Sequence, residues 1–269
     1  MLYFSNSQSL IQIERCPDIS VKYDTKEESA VIISSGFYAR YIKRCMDFIL
    51  SLWASVVLLP LLLVLTVTGA IALKGNPFFI QLRPGKIDPE TGREKIFKLI
   101  KFRTMTYKSD KNGKMLSDKQ RVTRYGTFLR STSLDELPEL INIIKGDMSL
   151  VGPRPQLVKD MVFMSPRQRM RHRVLPGLTG LAQVNGRNMI DWETKLEYDL
   201  SYIGCITFIG DLKIILRTFI KIFNREEVLA EGKETAEDFG DYLLDSGKIS
   251  EAAYRELQAR AAELSEEGI

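Results

Sequence analysis

The side chains best suited to chemistry fall within one stretch of the sequence, residues 121–155. Two adjacent carboxylates, Asp135 and Glu136, lie near its middle. Four arginines lie on either side of this pair in the sequence: Arg121, Arg124, Arg130 and Arg154. Anion-binding groups therefore bracket an acidic pair, and that pair would repel a phosphate unless a divalent cation neutralised it. The stretch predicts a site for a phosphate ester together with a divalent metal ion.

A second interpretation of the same residues is purely structural. Ser133 followed three positions later by Glu136 fits a helix capping box, and acidic residues are common in first helical turns. An apolar helical run, residues 137–144, follows. From the residues alone, both interpretations stay open.

Charge and composition limit the classes of function. The formal net charge is +4, but residues 226–269 carry 13 acidic and 4 basic side chains, so residues 1–225 carry a net +13. A basic body indicates anionic partners: lipid head groups, nucleotides or nucleic acid. The chain has one histidine, His172, which argues against a histidine-based zinc site or a Ser-His-Asp triad.

An uncharged apolar run covers residues 48–73, which is long enough to cross a bilayer. Pro60 lies near its middle, where it removes a helical hydrogen bond and bends the axis. Basic residues flank both ends: Arg40, Lys43 and Arg44 before, Lys74, Arg83 and Lys86 after. Both flanks are therefore expected on the cytoplasmic face, and a re-entrant helix satisfies this. A bilayer-spanning helix and a buried helix of a soluble protein are the alternatives.

Shorter elements follow the apolar run. Residues 78–82 and 95–102 predict a β-hairpin, which ends in a basic cluster around Lys101 and Arg103. Arginine-rich residues 165–173 predict a basic helix at a membrane surface, and residues 175–180 predict a turn-rich loop. Helices are expected at 192–202, with Trp192 at an interface, and at 212–223. The acidic tail predicts two helices, at about 235–244 and 251–264, with Ser250 capping the second.

Taken together, the motifs resemble those of the bacterial sugar transferases, the monotopic phosphoglycosyl transferases. The matching pieces are Lys43-Arg44 with Asp47; Gly75, Pro77, Gln81, Arg83 and Gly85; Lys101-Phe-Arg-Thr-Met105; Leu129-Arg130; Ser133-Leu-Asp-Glu-Leu-Pro138; Gly146-Asp-Met-Ser-Leu-Val-Gly-Pro-Arg-Pro155; and Pro176-Gly-Leu-Thr-Gly180 with Gln183, Asn185, Gly186 and Arg187. They cover roughly residues 40–225. The combination is specific, although each piece alone is weak.

The resemblance implies a mainly α fold with a small β-hairpin, of the α+β class, in a monotopic membrane protein with a re-entrant membrane helix. The implied parts are an N-terminal extension (1–37), the re-entrant helix (38–74), a catalytic domain (75–225) and an acidic helical tail (226–269). In the family the membrane helix often breaks at Ser-Pro; here Leu59 precedes Pro60, so the break depends on the proline. The tail carries none of the family's motifs, and turnover is expected not to depend on it.

The resemblance also implies a reaction on the cytoplasmic face of the bacterial inner membrane. A phosphosugar passes from a nucleotide sugar, usually UDP-linked, to polyprenyl phosphate, and UMP is released. Asp135 would be the nucleophile, and Asp135 with Glu136 would hold Mg²⁺. Residues that would bind substrate phosphate or nucleotide are Arg130, Arg154, Lys101, Arg103 and Arg187. Membrane lipids are expected partners and nucleic acid is not; a homodimer and the tail's partner stay open.

Two other function classes remain. One is a glycosyltransferase that moves the sugar without its phosphate, and the other is a scaffold that binds anionic lipids without catalysis. The released nucleotide separates them: UMP indicates phosphosugar transfer, UDP a glycosyltransferase, and no release a scaffold.

Overall fold

The structure is a computed structural model that describes residues 33–34, 36–109, 113, 115–186, 190–224 and 237–267. The extension predicted at 1–37 lies almost entirely outside the described residues. The helices are α1 (Lys43–Val57), α2 (Leu59–Leu73), α3 (Asp118–Arg121), α4 (Arg124–Thr132), α5 (Glu139–Lys145), α6 (Val158–Met161), α7 (Pro166–Arg169), α8 (Leu181–Val184), α9 (Trp192–Gly204), α10 (Phe208–Asn224), α11 (Phe239–Asp245) and α12 (Glu251–Glu267). The strands are β1 (Phe78–Ile87), β2 (Glu94–Phe102), β3 (Ser149–Val151) and β4 (Gly177–Thr179). A π-helical turn (Tyr38–Ile42) precedes α1, and 3₁₀ turns cover Leu134–Glu136 and Met170–Arg173.

The apolar run forms two helices that meet at an angle of 64°. Leu58 N donates to Ala54 O and Leu62 N donates to Leu58 O, but Pro60 between them has no N–H to give. Pro60 lies in the first turn of α2, where a proline is tolerated. The bend predicted at Pro60 is confirmed. Within the described residues no single helix is long and apolar enough to cross a bilayer; only the bent pair together has the required length and composition.

Polar contacts attach α1 to the rest of the molecule. Lys43 Nζ lies 2.6 Å from Asp211 Oδ2, and Arg44 donates to two carbonyls at the end of α5. The buried carboxylate of Asp47 accepts from Ser149 Oγ at 2.7 Å. Lys43 and Arg44, the basic residues just before the apolar run, therefore have partners inside the protein, which is a reason for their charge besides membrane topology.

The predicted hairpin is present, and its strands are longer than expected. β1 and β2 pair in antiparallel register, with Phe78 opposite Phe102 and an irregularity between Pro84 and Ile87. The buried Asn142 of α5 bonds the free edge of β2: its Oδ1 accepts from Ile100 N at 3.1 Å, and its Nδ2 donates to Lys98 O at 2.8 Å. The hairpin and α5 are thereby fixed against each other.

A second pair of strands was not predicted. β3 and β4 are parallel, and β4 occupies residues where the sequence predicted a turn-rich loop. A Cβ added to Gly177 would lie 2.1 Å from the backbone nitrogen of Gly152, so the two chains can approach this closely only without that side chain. The contact holds the residues that follow β3, including Arg154, against the 175–180 segment.

The predicted basic helix at the membrane surface is wrong. Residues 166–173 form two short helical segments, and three of their arginines pair with acids of the protein. The pairs are Arg167 with Glu197, Arg169 with Glu94, and Arg171 with Asp199. Arg171 is 1% exposed. The acidic partners lie 28 to 75 positions away in the sequence, so the local sequence shows only the alternating arginines. Without their partners in view, these arginines indicate a surface.

The tail helices pack on the body of the protein. Phe239 of α11 is 1% exposed and lies in an apolar cluster with Phe163, Trp192 and Leu196. Trp192, which was expected at an interface, is buried and donates from Nε1 to Glu237 O. The two predicted tail helices and the Ser250 cap of α12 are confirmed.

Candidate active site

The adjacent acids lie in a 3₁₀ turn between α4 and α5, not at the head of a helix. Ser133 has a φ of +55° and makes no side-chain capping bond, so the capping-box interpretation is wrong. α5 begins only at Glu139, after Pro138. The side chain of Glu136 instead points to two cations from other elements.

Glu136 is locked in place by these cations. Its Oε1 accepts from Lys101 Nζ at 3.0 Å and from Arg154 Nη2 at 2.6 Å. Burial alone would raise the pKa of this carboxyl, but the charges of Arg154 and Lys101 hold it well below its usual value. The same contact raises the pKa of Arg154. Glu136 is therefore a fixed anion in a cationic setting.

Asp135 differs from its neighbour. Its half-buried carboxylate has no hydrogen bond or ion pair to any residue in the described ranges. Burial, followed by the charge of Glu136, raises its pKa to about 6, while Lys101, Arg154 and Arg130 act in the opposite direction. Its oxygens are open to a ligand.

A third carboxylate, Glu139, belongs to the same cluster and was not singled out in the sequence. It is 2% exposed, and its Oε1 lies 3.0 Å from Lys101 Nζ. This contact is an ion pair without hydrogen-bond geometry, since Oε1 has no hydrogen-bond partner. Burial, reinforced by the charge of Glu136, raises its pKa to about 7. Glu139 follows Glu136 by three residues, the spacing that places two side chains on the same side of a helix. This spacing is easily overlooked because Glu139 lies within the apolar run 137–144.

The loop that carries Arg154 is held by two further arginines. Arg171 Nη2 donates to Arg154 O at 2.6 Å and also lies 2.6 Å from Asp199 Oδ2. Arg83 Nη1 donates to Pro155 O at 3.1 Å. Burial and the charge of Arg154 lower the pKa of Arg83 to about 10. Two consecutive carbonyls of the loop thus accept from arginines, one buried and one half-buried, and no local spacing in the sequence indicated this role.

Arg130 approaches the cluster from α4. Its Nε donates to Thr104 Oγ1 at 3.0 Å. α4 can lie this close to the end of β2 because residue 126 is glycine: a Cβ there would lie 1.9 Å from Thr104 O. The positive charge of Arg130 acts to lower the pKa of Asp135, against the effect of burial.

The other predicted site residues fall elsewhere. Arg103 lines a separate cleft at the end of α2, beside Tyr107 and Lys108. Pro60 lies at the bend between α1 and α2. Arg187 lies outside the described residues. The structure therefore brings together Lys101, Arg130, Asp135, Glu136 and Arg154, and adds Glu139.

Asp135 and Glu136 have carboxylate oxygens that a magnesium ion could bind. Lys101 and Arg154 both contact Oε1 of Glu136, which leaves Oε2 and both oxygens of Asp135 without partners among the described residues. No group of three or more His, Cys, Asp or Glu side chains that could hold a metal occurs in the part of the chain that the structure describes. Mg²⁺ commonly takes one or two carboxylates and completes its shell with water and substrate phosphate, and this donor set matches that pattern.

Comparison with known proteins gives the family. The sequence profile of the bacterial sugar transferases matches residues 38–225. The uncharacterized sugar transferase EpsL of Bacillus subtilis is 44% identical over 66% of this chain and 86% of its own length. The UDP-glucose:undecaprenyl-phosphate glucose-1-phosphate transferase of Klebsiella pneumoniae is 41% identical over 67% of this chain and 40% of its own length.

A third relative is the UDP-N-acetylgalactosamine-undecaprenyl-phosphate N-acetylgalactosaminephosphotransferase of Aeromonas hydrophila, which is 34% identical over 74% of this chain. The match spans less than half the length of the Klebsiella and Aeromonas proteins. The family match covers more than half of this chain and includes every residue of the cluster around Asp135. The chain belongs to the bacterial sugar transferase family.

Proposed function

We propose that the protein is a phosphoglycosyl transferase. It transfers a sugar phosphate from a UDP-linked sugar to polyprenyl phosphate, of the undecaprenyl type, and releases UMP. The names of the Klebsiella and Aeromonas relatives support both the donor class and the acceptor. The product, a polyprenyl diphosphate sugar, suits the first membrane step of surface polysaccharide or glycoconjugate assembly.

The main support for this proposal is the difference between the adjacent acids Asp135 and Glu136. Glu136 is fixed by Lys101 and Arg154, whereas the carboxylate of Asp135 next to it has no protein partner. A carboxylate that is to attack phosphorus needs a free oxygen and cationic surroundings. Asp135 has both, so it is the nucleophile in our proposal.

The reaction has two displacements at phosphorus. In the first, an oxygen of Asp135 attacks the sugar-bearing phosphorus, the bond from that phosphorus to the bridging oxygen breaks, and UMP leaves with the electron pair. In the second, an oxygen of the polyprenyl phosphate attacks the phosphorus of the aspartyl phosphosugar. The carboxylate of Asp135 leaves with its electrons and is regenerated. No oxidant and no further co-reactant are needed.

The cations and Glu136 support these steps. Arg154 and Arg130 lie where they attract the diphosphate and oppose the repulsion between two anions. Lys101 lies 3.0 Å from an oxygen of both Glu136 and Glu139 and so offsets part of the negative charge beside Asp135. When bound by Asp135 and Glu136, Mg²⁺ supplies charge neutralisation on the phosphate oxygens.

We further propose that the bent pair α1–α2 is a re-entrant anchor in the bacterial inner membrane, with the catalytic cluster on the cytoplasmic face. The support is the 64° bend together with side chains such as Trp53 and Ile71, which are 66% and 72% exposed. Such apolar side chains are costly to leave in water. An anchor of this kind would keep the site at the height of a lipid phosphate.

The proposal is tested by incubating the purified protein with polyprenyl phosphate and a panel of nucleotide sugars. The expected result is UMP together with a lipid-linked phosphosugar for at least one sugar. Asp135→Asn keeps the side-chain shape but removes charge and nucleophilicity, so it should abolish both products. Release of UDP would instead indicate a glycosyltransferase, and no nucleotide release with any sugar would favour a lipid-binding scaffold.

A further inference from the structure

A cleft of about 530 Å³ lies at the C-terminal end of α2, apart from the cluster around Asp135. One wall is residues 72–76, where α2 ends and the chain turns into the hairpin. The other wall is formed by Arg103, residues 106–108 and Thr123. None of the residues that contact Glu136 lines this cleft.

The lining of the cleft is cationic. Lys74, Arg103 and Lys108 line it, and the lining contains no acidic residue. None of the three makes an ion pair with a residue in the described parts of the chain. The Nε of Arg103 is buried without a hydrogen-bond partner, and its guanidinium lies 5.1 Å from the centre of the Tyr107 ring. Unpaired cations around a cleft are suited to an anion with several acceptor oxygens, such as a phosphate.

An apolar surface runs from this cleft along α2. Val64, Val67 and Ile71 are each more than half exposed, and their spacing of three and four residues places them on one face of the helix. Ile71 directly precedes the residues that line the cleft. A cationic cleft at the end of an exposed apolar stripe suits an amphiphile that has a phosphate head and a hydrocarbon chain.

The cleft adjoins the catalytic cluster through the end of β2. The bond from Arg103 N to Pro77 O continues the hairpin ladder by one residue. Arg103 therefore points to the same face as Lys101, whose Nζ contacts Glu136. The next residue in the chain, Thr104, accepts from Arg130 of α4. Arg103 thus lies in the chain between Lys101, which contacts Glu136, and Thr104, which contacts Arg130.

We infer that this cleft binds the phosphate head of the polyprenyl phosphate acceptor, with its chain along Val64, Val67 and Ile71. The inference rests on the proposed function, since it assigns the acceptor to a subsite of that reaction. It separates the two substrates: Arg154 and Arg130 serve the nucleotide sugar, whereas Arg103, Lys74 and Lys108 serve the lipid. Arg103 then acts in the second displacement and not in the first.

The test measures the two half-reactions separately in Lys108→Gln and in the double variant Arg103→Gln/Lys108→Gln. The double variant is expected to raise the KM for polyprenyl phosphate by about 10-fold or more, because it removes two charge-assisted contacts. The burst of UMP from nucleotide sugar without acceptor should keep its amplitude. Lys86→Gln is the matched control: it removes one exposed positive charge from β1, outside the cleft, and should leave the KM unchanged.

Two additions identify the source of the phosphate. Inorganic phosphate should compete weakly with the acceptor in the unaltered protein and less in the double variant. Binding to vesicles of phosphatidylglycerol should be the same in both. If the double variant instead loses vesicle binding and keeps its KM for polyprenyl phosphate, the cleft serves bulk anionic lipid and the inference is wrong.

The outcomes separate this inference from the proposed function. A double variant with a normal KM for the acceptor overturns the inference while the reaction stands. A double variant that loses the UMP burst places the cleft on the donor side, which also overturns it. An unaltered protein that produces no UMP burst and no lipid product contradicts the proposed function itself.

Discussion

Arg171 contacts the backbone carbonyl of Arg154, and we expect it both to stabilise the fold and to position Arg154. Variants of Arg171 can separate these two roles. Arg171 is 1% exposed and pairs with the buried Asp199 at 2.6 Å, while its Nη2 also donates to Arg154 O. Burial raises the pKa of Asp199, because the charged carboxylate is disfavoured in the interior. An Asp199 carboxylate without its cation would therefore destabilise the fold. Arg171→Met removes the cation and leaves Asp199 alone in the interior. We expect a loss of about 3–5 kcal/mol in the free energy of unfolding.

A second substitution, at Asp199, should restore the stability of the fold but not the hydrogen bond to the carbonyl of Arg154. In Arg171→Met/Asp199→Leu both charges are replaced by apolar groups, and a buried pair exchanged in this way is often neutral in stability. The free energy of unfolding should return to within about 2 kcal/mol of the original value, the remainder being the unpaired Arg154 carbonyl. Turnover should stay about 100-fold lower, since a displacement of about 1 Å in a positioning group can cost that much.

Denaturant unfolding in detergent, followed by tryptophan fluorescence, gives the stability, and UMP release gives the turnover. Arg167→Met is the matched control because Arg167 pairs with the half-exposed Glu197 and does not touch the loop. It should change stability by less than about 1 kcal/mol and leave turnover intact. A double variant that recovers stability and full turnover together would refute the idea that Arg171 positions Arg154.

Three further predictions concern the anchor, the interior and the tail. Single cysteines placed at residues 36 and 76 in a background without native cysteines should both label from the cytoplasmic side; labelling from opposite sides would mean a full span. Burial lowers the pKa of His172 to about 4 from a usual 6.5, so the neutral form is favoured in the fold and stability is fully present above pH 6.5. The free energy of unfolding should fall by up to about 3 kcal/mol between pH 6.5 and pH 4, and His172→Gln should be flatter over that window; equal slopes would contradict this. Phe239→Ala should cost about 3–5 kcal/mol in the docking of the tail and speed its proteolysis, with UMP turnover retained; a parallel loss of turnover would tie the tail to catalysis.

Local signals in the sequence predicted a large part of the fold. The bend at Pro60 followed from a missing backbone donor, and the hairpin and tail helices followed from periodicity and turn residues. The cluster of Lys101, Glu136 and Arg154 was predicted only in part: the residue types indicated a phosphate site, but the contacts join residues 18 and 35 positions apart. Such pairings depend on tertiary structure, which spacing alone does not specify.

The wrong predictions share one cause. The alternating arginines at 167–171 and the tryptophan at the start of α9 have the composition of a membrane surface. Arg171 and Trp192 are nevertheless buried, against Asp199 and Phe239, and Arg169 pairs with the buried Glu94. A charged side chain is interpreted from its own neighbourhood in the sequence, whereas its burial depends on a distant partner. The Ser133 capping box failed for a related reason, because the cations that hold Glu136 come from β2 and from the loop after β3.

Intact-protein mass spectrometry under rapid quench tests most directly whether a covalent phosphosugar forms on Asp135, as we propose. The protein mixed with nucleotide sugar alone should gain the mass of one phosphosugar, and it should lose that mass when polyprenyl phosphate is added. Asp135→Asn should show no adduct and no turnover, while Glu136→Gln should form the adduct more slowly in a magnesium-dependent manner. If no adduct forms and Asp135→Asn still releases UMP, the transfer is direct and Asp135 is not the nucleophile.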